Sequence, residues 1–127
     1  MDAVVLYGIL YTAMRKAVSF VGSSLDDLRG FPQVARQRVG YQLHLVQHDQ
    51  DPADWKPMPS IGPGCREIRV RDETSNADRV FYVATVADVV YVLHCFQKKT
   101  RQTAKSDVDL GKQRYRETKD VVQGGTP

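Results

Sequence analysis

The segment RVFYVATVADVVYVLHCF, residues 79–96, decides the fold because it holds two apolar runs only two residues apart. Both runs, residues 79–86 and 89–96, are rich in the β-branched and aromatic side chains that strands favour. The intervening Ala-Asp pair predicts a tight hairpin. Because polar positions scarcely interrupt either run, we expect two central strands that are covered on part of both faces.

A third strand and a long loop precede this hairpin. Alternation in CREIRV, residues 65–70, predicts a strand whose one face is formed by Cys65, Glu67 and Arg69. The segment at 49–64 is dense in proline and glycine, so we interpret it as a loop that Trp55 anchors to the body of the protein.

The N-terminal half adds a short strand at 16–22, a short helix at 23–31 and a second helix from Pro32 onward. Residues at three- and four-residue spacing form the buried stripe of the second helix: Ala35, Val39, Leu43 and Val46. A closing helix begins near Ser106, and its glycine at position 111 costs about 1 kcal/mol relative to alanine.

The length of 127 residues and the 42% hydrophobic content predict one domain. We expect an N-terminal extension at 1–13, a folded domain at 14–120 and a flexible tail at 121–127. Asp2 stands where a signal peptide carries basic residues, and the apolar run around it is too short to span a bilayer. The two cysteines match no metal-binding or redox spacing, so we expect a reducing, cytoplasmic location.

The net charge of +3 comes from the C-terminal quarter, where residues 97–127 carry eight cations and four anions. The change occurs in VLHCFQKKTRQTAKSD, residues 92–107, where an apolar strand passes directly into lysine, arginine and threonine. Such a basic segment favours an acidic partner, most often nucleic acid, although a solvated loop has the same composition.

Two histidines, His44 and His48, lie four residues apart on the second helix, the spacing with which one helix face can hold zinc. The glutamate that follows the first histidine in metalloproteases is absent, and both side chains point away from the apolar stripe. We therefore interpret them as solvent-exposed and predict neither a metal site nor a cofactor.

Four segments in order carry a resemblance to a known family: FVGSSLDDLRGFP, DWKPMPSIGPGCREIRV, DRVFYV and VYVLHCFQKKTRQTAKSDVDL, within about residues 17–117. They resemble the phage-derived, HigB-like branch of the RelE/ParE superfamily, the toxins of type II toxin–antitoxin pairs. The resemblance implies a small α+β domain with a curved antiparallel sheet, two N-terminal helices packed on it and a C-terminal helix.

The same resemblance implies a function. RelE-like members cleave messenger RNA in the ribosomal decoding site, whereas ParE-like members inhibit DNA gyrase, and a non-enzymatic RNA-binding module is a third alternative. We expect an mRNA endonuclease (mRNA interferase), with a helix-turn-helix antitoxin, the ribosome and mRNA as partners and without a membrane partner.

Candidate catalytic residues follow from the chemistry of metal-free RNA cleavage, which needs a base for the 2′-OH and cations for the phosphate. Arg69 and Arg79 stand at strand ends, and we expect both to clamp phosphate oxygens. Arg79, like Lys98 and Lys99, is expected to reach water there. Lys98 or Lys99 is the candidate base, because a lysine crowded by other cations holds its proton less tightly.

His94 is a second candidate for proton transfer, and a hydrogen-bonded core histidine is the alternative interpretation. Simple strand alternation puts it on one face with Val90, Val92 and Phe96. Further residues near the basic turn are predicted RNA contacts: Thr100, Arg101, Lys105 and Tyr115.

Overall fold

The computed structural model of the chain describes residues 15–72 and 77–124. The elements in chain order are β1 (Ala17–Phe20), α1 (Ser24–Arg29), α2 (Gln33–Gln47), β2 (Trp55–Pro57), β3 (Cys65–Val70), β4 (Asp78–Val86), β5 (Val89–Gln97) and α3 (Lys105–Gly124). The expected N-terminal extension at 1–13 lies outside the described residues. The expected tail at 121–127 is partly helical, because α3 continues to Gly124.

All five strands form one sheet in the order β1-β5-β4-β3-β2, with α1 and α2 on one face and α3 on the other. The predicted α+β class with two N-terminal helices and a C-terminal helix is confirmed. The sheet is mixed, however, and not purely antiparallel, because β1 pairs with β5 in parallel while the other neighbours are antiparallel.

The central hairpin is confirmed at the predicted residues. Ala87 and Asp88 connect β4 to β5, and their φ angles of 55° and 62° lie in the left-handed region. Two consecutive positive φ angles are what a type I′ turn requires, and this turn matches the right-handed twist of the flanking strands. The hairpin holds the ends of β4 and β5 in fixed register.

Each face of the sheet has its own apolar core. The face toward α1 and α2 buries the predicted stripe of Ala35, Val39, Leu43 and Val46 against Ile68 and Val80 among others. The face toward α3 packs Phe81, Leu93 and Tyr115 with residues of the proline-rich segment.

Gly111 explains how α3 approaches the sheet so closely. A Cβ atom at this position would lie 3.0 Å from the side chains of Ile61 and Phe81. The glycine that weakens the helix locally therefore permits its packing on β4, and a larger side chain would push the helix away.

Candidate nucleic-acid interface

Polar side chains cross the face of the sheet that carries α3. The pairing register aligns Lys56 of β2, Glu67 of β3, Phe81 of β4 and His94 of β5 in one row. The next row contains Arg69 and Arg79, which are direct cross-strand partners. Phe81 and Phe96 of the apolar core of this face lie in the same two rows as these charged residues.

Glu67 is a buried carboxylate that lies among the cations of these two rows. Its side chain is 2% exposed, and Oε1 lies 3.5 Å from Arg69 Nε and 3.9 Å from both Lys56 Nζ and Arg79 Nε. Alternation in CREIRV predicted the strand face of this glutamate, but no function was predicted for it. Its position two residues before Arg69 on the same face of CREIRV is the signal that a cation would lie beside it.

Arg79 is buried, which corrects the expectation that it reaches water at a strand end. Only 8% of its side chain is exposed, and Nη1 donates to the carbonyl of Asp78 at 3.1 Å. Burial lowers the pKa of Arg79, and the carboxylate of Glu67 partly opposes this effect. The guanidinium is enclosed because the start of β4 pairs with β3 on one side and with β5 on the other.

Arg79 also forms part of an open depression of about 420 Å³ where β5 ends. Ala77 and four predicted site residues complete its lining: Lys98, Lys99, Thr100 and Arg101. The depression forms because Lys98 N–H donates to the carbonyl of Ala77 at 2.7 Å, which keeps the basic turn beside the start of β4. We call this feature the basic depression.

The two candidate lysines differ in surroundings. Lys98 is half-buried and follows Phe96 by two positions, so strand alternation directs it toward the face that carries Arg79. Lys99 is exposed, and it also lines a second depression that contains Asp26 and Asp27 of α1. Of the two lysines, Lys98 therefore has surroundings more like those of the buried Arg79.

His94 lies on a different face from the one that alternation predicts. A bulge between Phe81 and Tyr82 in the β4–β5 register makes Leu93 an extra residue, so His94 turns toward α3 while Val90 and Val92 stay in the opposite core. Its ring stacks on Phe96 with centroids 4.9 Å apart. One inserted residue thus reverses the side to which the following side chain points.

His94 has a partner that was not predicted from the sequence. Its Nε2 lies 2.7 Å from Oδ1 of Asp107, a residue of the first turn of α3, and the histidine side chain is 8% exposed. The interpretation as a hydrogen-bonded core histidine fits this geometry. The pair joins the start of α3 to β5 next to the basic turn.

Two predicted RNA contacts lie elsewhere. Tyr115 is 7% exposed, and its hydroxyl donates to the carbonyl of Pro63 at 2.7 Å. Gly62 leaves room for its ring, since a Cβ there would lie 2.4 Å from the tyrosine. Lys105 is exposed and forms a 2.7 Å ion pair with Asp109 one helical turn away. The structure therefore gives Tyr115 a packing function and keeps Lys105 on the surface of α3.

The histidine pair on α2 stands apart from this site. His44 is exposed, His48 is half-buried, and their ring centroids lie 4.5 Å apart. Within residues 15–72 and 77–124, no group of three or more His, Cys, Asp or Glu side chains has a metal-binding arrangement. In the same part of the chain, no helix is long and apolar enough to cross a membrane.

The described residues form a small α+β domain with a basic depression where β5 ends. A family model described as phage-derived protein Gp49-like (DUF891) matches residues 26–116. The chain belongs to this family, which is part of the RelE/ParE-like toxin superfamily. A comparison with curated proteins gave no significant match.

Proposed function

We propose that the protein is the toxin of a type II toxin–antitoxin pair and acts as a ribosome-dependent mRNA endonuclease of the HigB-like branch. The observation that carries this proposal is the basic depression, in which four cations converge: Arg79, Lys98, Lys99 and Arg101. The family of the chain, which belongs to a toxin superfamily, supports the same proposal. Converging cations of this kind bind the phosphates of RNA.

The proposed reaction is an internal transfer at phosphorus. The ribose 2′-OH attacks the adjacent phosphorus while a base takes its proton, and the bond from phosphorus to the 5′-oxygen breaks. The departing oxygen takes up a proton, so the products are a 2′,3′-cyclic phosphate and a 5′-hydroxyl. This reaction needs cations for the developing phosphate charge, and side chains supply them.

The residues divide between charge stabilisation and proton transfer. Arg79 acts on the phosphate, with Arg69 beside it, because guanidinium groups keep their charge and bind two phosphate oxygens at once. Lys98 is the preferred proton acceptor and Lys99 the alternative, since both line the basic depression. Thr100 and Arg101 contact the RNA backbone at its rim.

His94 has a positioning role in this proposal. Together with Asp107 it fixes the first turn of α3 against β5, and so fixes the side of the site next to the basic turn. Membership of a toxin family implies an antitoxin partner. We propose that this partner is a small helix-turn-helix protein and that the ribosome presents the mRNA.

The test is to analyse RNA ends after the purified protein acts on programmed ribosomes. We expect cleavage within the codon of the decoding site, with 2′,3′-cyclic phosphate and 5′-hydroxyl ends. A 5′-phosphate end would contradict the proposed chemistry. DNA breaks with an SOS response, in the absence of mRNA cleavage, would instead identify a gyrase inhibitor.

A matched pair of variants makes this test specific to the site. Lys98→Ala/Lys99→Ala removes two cations from the basic depression, and Arg116→Ala/Lys119→Ala removes two cations from α3 outside it. Only the first should abolish cleavage. Equal loss in both would show that overall charge, and not the depression, is responsible.

A further inference from the structure

Glu67 has no role in the proposed chemistry, although it lies among the cations that surround the site. Its side chain is 2% exposed, and it is close to Lys56, Arg69 and Arg79 through Oε1. Its Oε2 is buried and has no hydrogen-bond partner within the described parts of the chain. A carboxylate in this place weakens the binding of anions by the same cations, because it offsets part of their charge.

Among these cations, Arg79 is the most deeply buried. Its side chain is 8% exposed, whereas those of Arg69 and Lys56 are 36% and 43% exposed and are stabilised by water. Arg79 alone of the three lines the basic depression. Glu67 does not line the depression itself, but it lies next to Arg79, which does.

We propose that Glu67 is a positioning residue that holds the guanidinium of Arg79 in one orientation at the wall of the basic depression. The same charge lowers the affinity of the depression for phosphates that are not reacting. This inference rests on the proposed RNA cleavage. It assigns two effects to Glu67: weaker binding of the RNA and a higher rate of cleavage. Groups that are already oriented stabilise a transition state without reorganisation, and weaker binding of the ground state does not slow the reaction.

The variant Glu67→Gln keeps the shape of the side chain and removes its charge. We expect it to bind inorganic phosphate several-fold more tightly than the parent protein, because the cations are no longer offset. We expect KM for programmed ribosomes to fall, while kcat falls on the order of tenfold because Arg79 loses its fixed orientation. The pH profile of kcat should keep its shape, because Glu67 carries no proton in the reaction.

Asp51→Asn is the matched control. Asp51 also pairs with an arginine, Arg66, at 2.9 Å, and the variant changes the net charge equally. It should leave phosphate affinity, KM and kcat unchanged, since neither residue lines the basic depression.

Three results would overturn the proposal. Unchanged phosphate affinity in Glu67→Gln would show that the carboxylate does not offset the cations. An unchanged or higher kcat would show that it does not position Arg79. Loss of the acidic limb of the pH profile would make Glu67 a proton acceptor. The phosphate titration needs no catalysis, so a parent protein that cleaves no RNA would refute the proposed function without affecting this comparison.

A measurement on the parent protein covers the case in which the variant does not fold. The Arg79 Nε–H vector should show a ¹⁵N order parameter close to that of rigid backbone, about 0.85, while Arg101 Nε–H should lie below about 0.6. A mobile Arg79 side chain would overturn the positioning role.

Discussion

Arg79 and Glu67 lie on neighbouring strands with Nε 3.9 Å from Oε1, and both side chains are less than a tenth exposed. Removal of one member of a buried ion pair leaves the charge of the other uncompensated. The pair is therefore part of the stability of the sheet as well as of the basic depression.

Arg79→Ala should lower the free energy of unfolding by about 3 kcal/mol. This loss is at the low end of the range for removing one member of a buried ion pair, because Lys56 and Arg69 remain near Glu67. Urea denaturation followed by circular dichroism measures this loss. Arg101→Ala, at the rim of the same depression, is the control and should change stability by less than about 0.5 kcal/mol. Equal stability of parent and Arg79→Ala would mean that the ion pair contributes nothing.

Substitution of the lysines of the basic turn should reduce cleavage and leave stability nearly unchanged. Lys98→Ala and Lys99→Ala, made singly, should alter stability by less than about 0.5 kcal/mol, because one is half-buried and the other exposed. Loss of the proton acceptor should reduce the cleavage rate about a hundredfold or more, so the two variants also identify which lysine acts. Full cleavage by both would refute the assignment.

Asp78 should make stability depend on pH. It is fully buried, its Oδ1 accepts from Gln97 Nε2 at 2.9 Å, and burial raises its pKa, with the neighbouring Asp72 adding to the effect. A raised pKa means that the folded state binds the proton more tightly than the unfolded state. The charge therefore destabilises the fold above the folded-state pKa, and this cost disappears as the pH falls toward the unfolded value.

Asp78→Asn should accordingly raise the melting temperature at neutral pH, and the gain over the parent should shrink on acidification. Asp120→Asn, an exposed change at the end of α3, should give no such trend. A gain that stays constant from neutral to acidic pH would contradict the assignment of the charge effect to Asp78.

Both cysteines should be unreactive in the folded protein. Cys65 and Cys95 are 2% exposed, and burial raises the pKa of each thiol to about 12. Alkylation at pH 8 requires the thiolate, so labelling should occur only after unfolding. Rapid labelling of either cysteine under native conditions, detected by mass spectrometry, would show that its strand opens without global unfolding.

The elements that the sequence predicted well are those whose pattern is local. The hairpin at Ala87 and Asp88 and the stripe of α2 follow from neighbouring residues, and both are confirmed. Strand β2 escaped prediction because three residues, Trp55–Pro57, give too short a pattern within a proline-rich segment. The parallel direction of β1 also left no local signal, because it depends on a partner strand far along the chain.

The site was harder to predict than the fold. Lys98, Lys99, Thr100 and Arg101 line one depression, and the sequence places them together because they are consecutive. The face of His94 depends on one extra residue, Leu93, and period-two alternation has no means to locate such a bulge. The burial of Tyr115 depends on space left by Gly62, and the environment of Arg79 depends on Glu67 of another strand. These are tertiary properties that a local pattern does not contain.

The pairing of β1 with β5 also has a consequence for synthesis of the chain. Ala17 pairs with Val89 and Phe20 with Val92, so the edge strand β1 can pair only after β5 has been synthesised. Contacts of such long sequence separation raise the contact order and slow folding, because a large loop must close first. While the nascent chain grows, α1 and α2 have no complete sheet to cover, and residues 98–101 of the depression emerge only after β5 itself. The folded domain can therefore arise only after β5 has been synthesised.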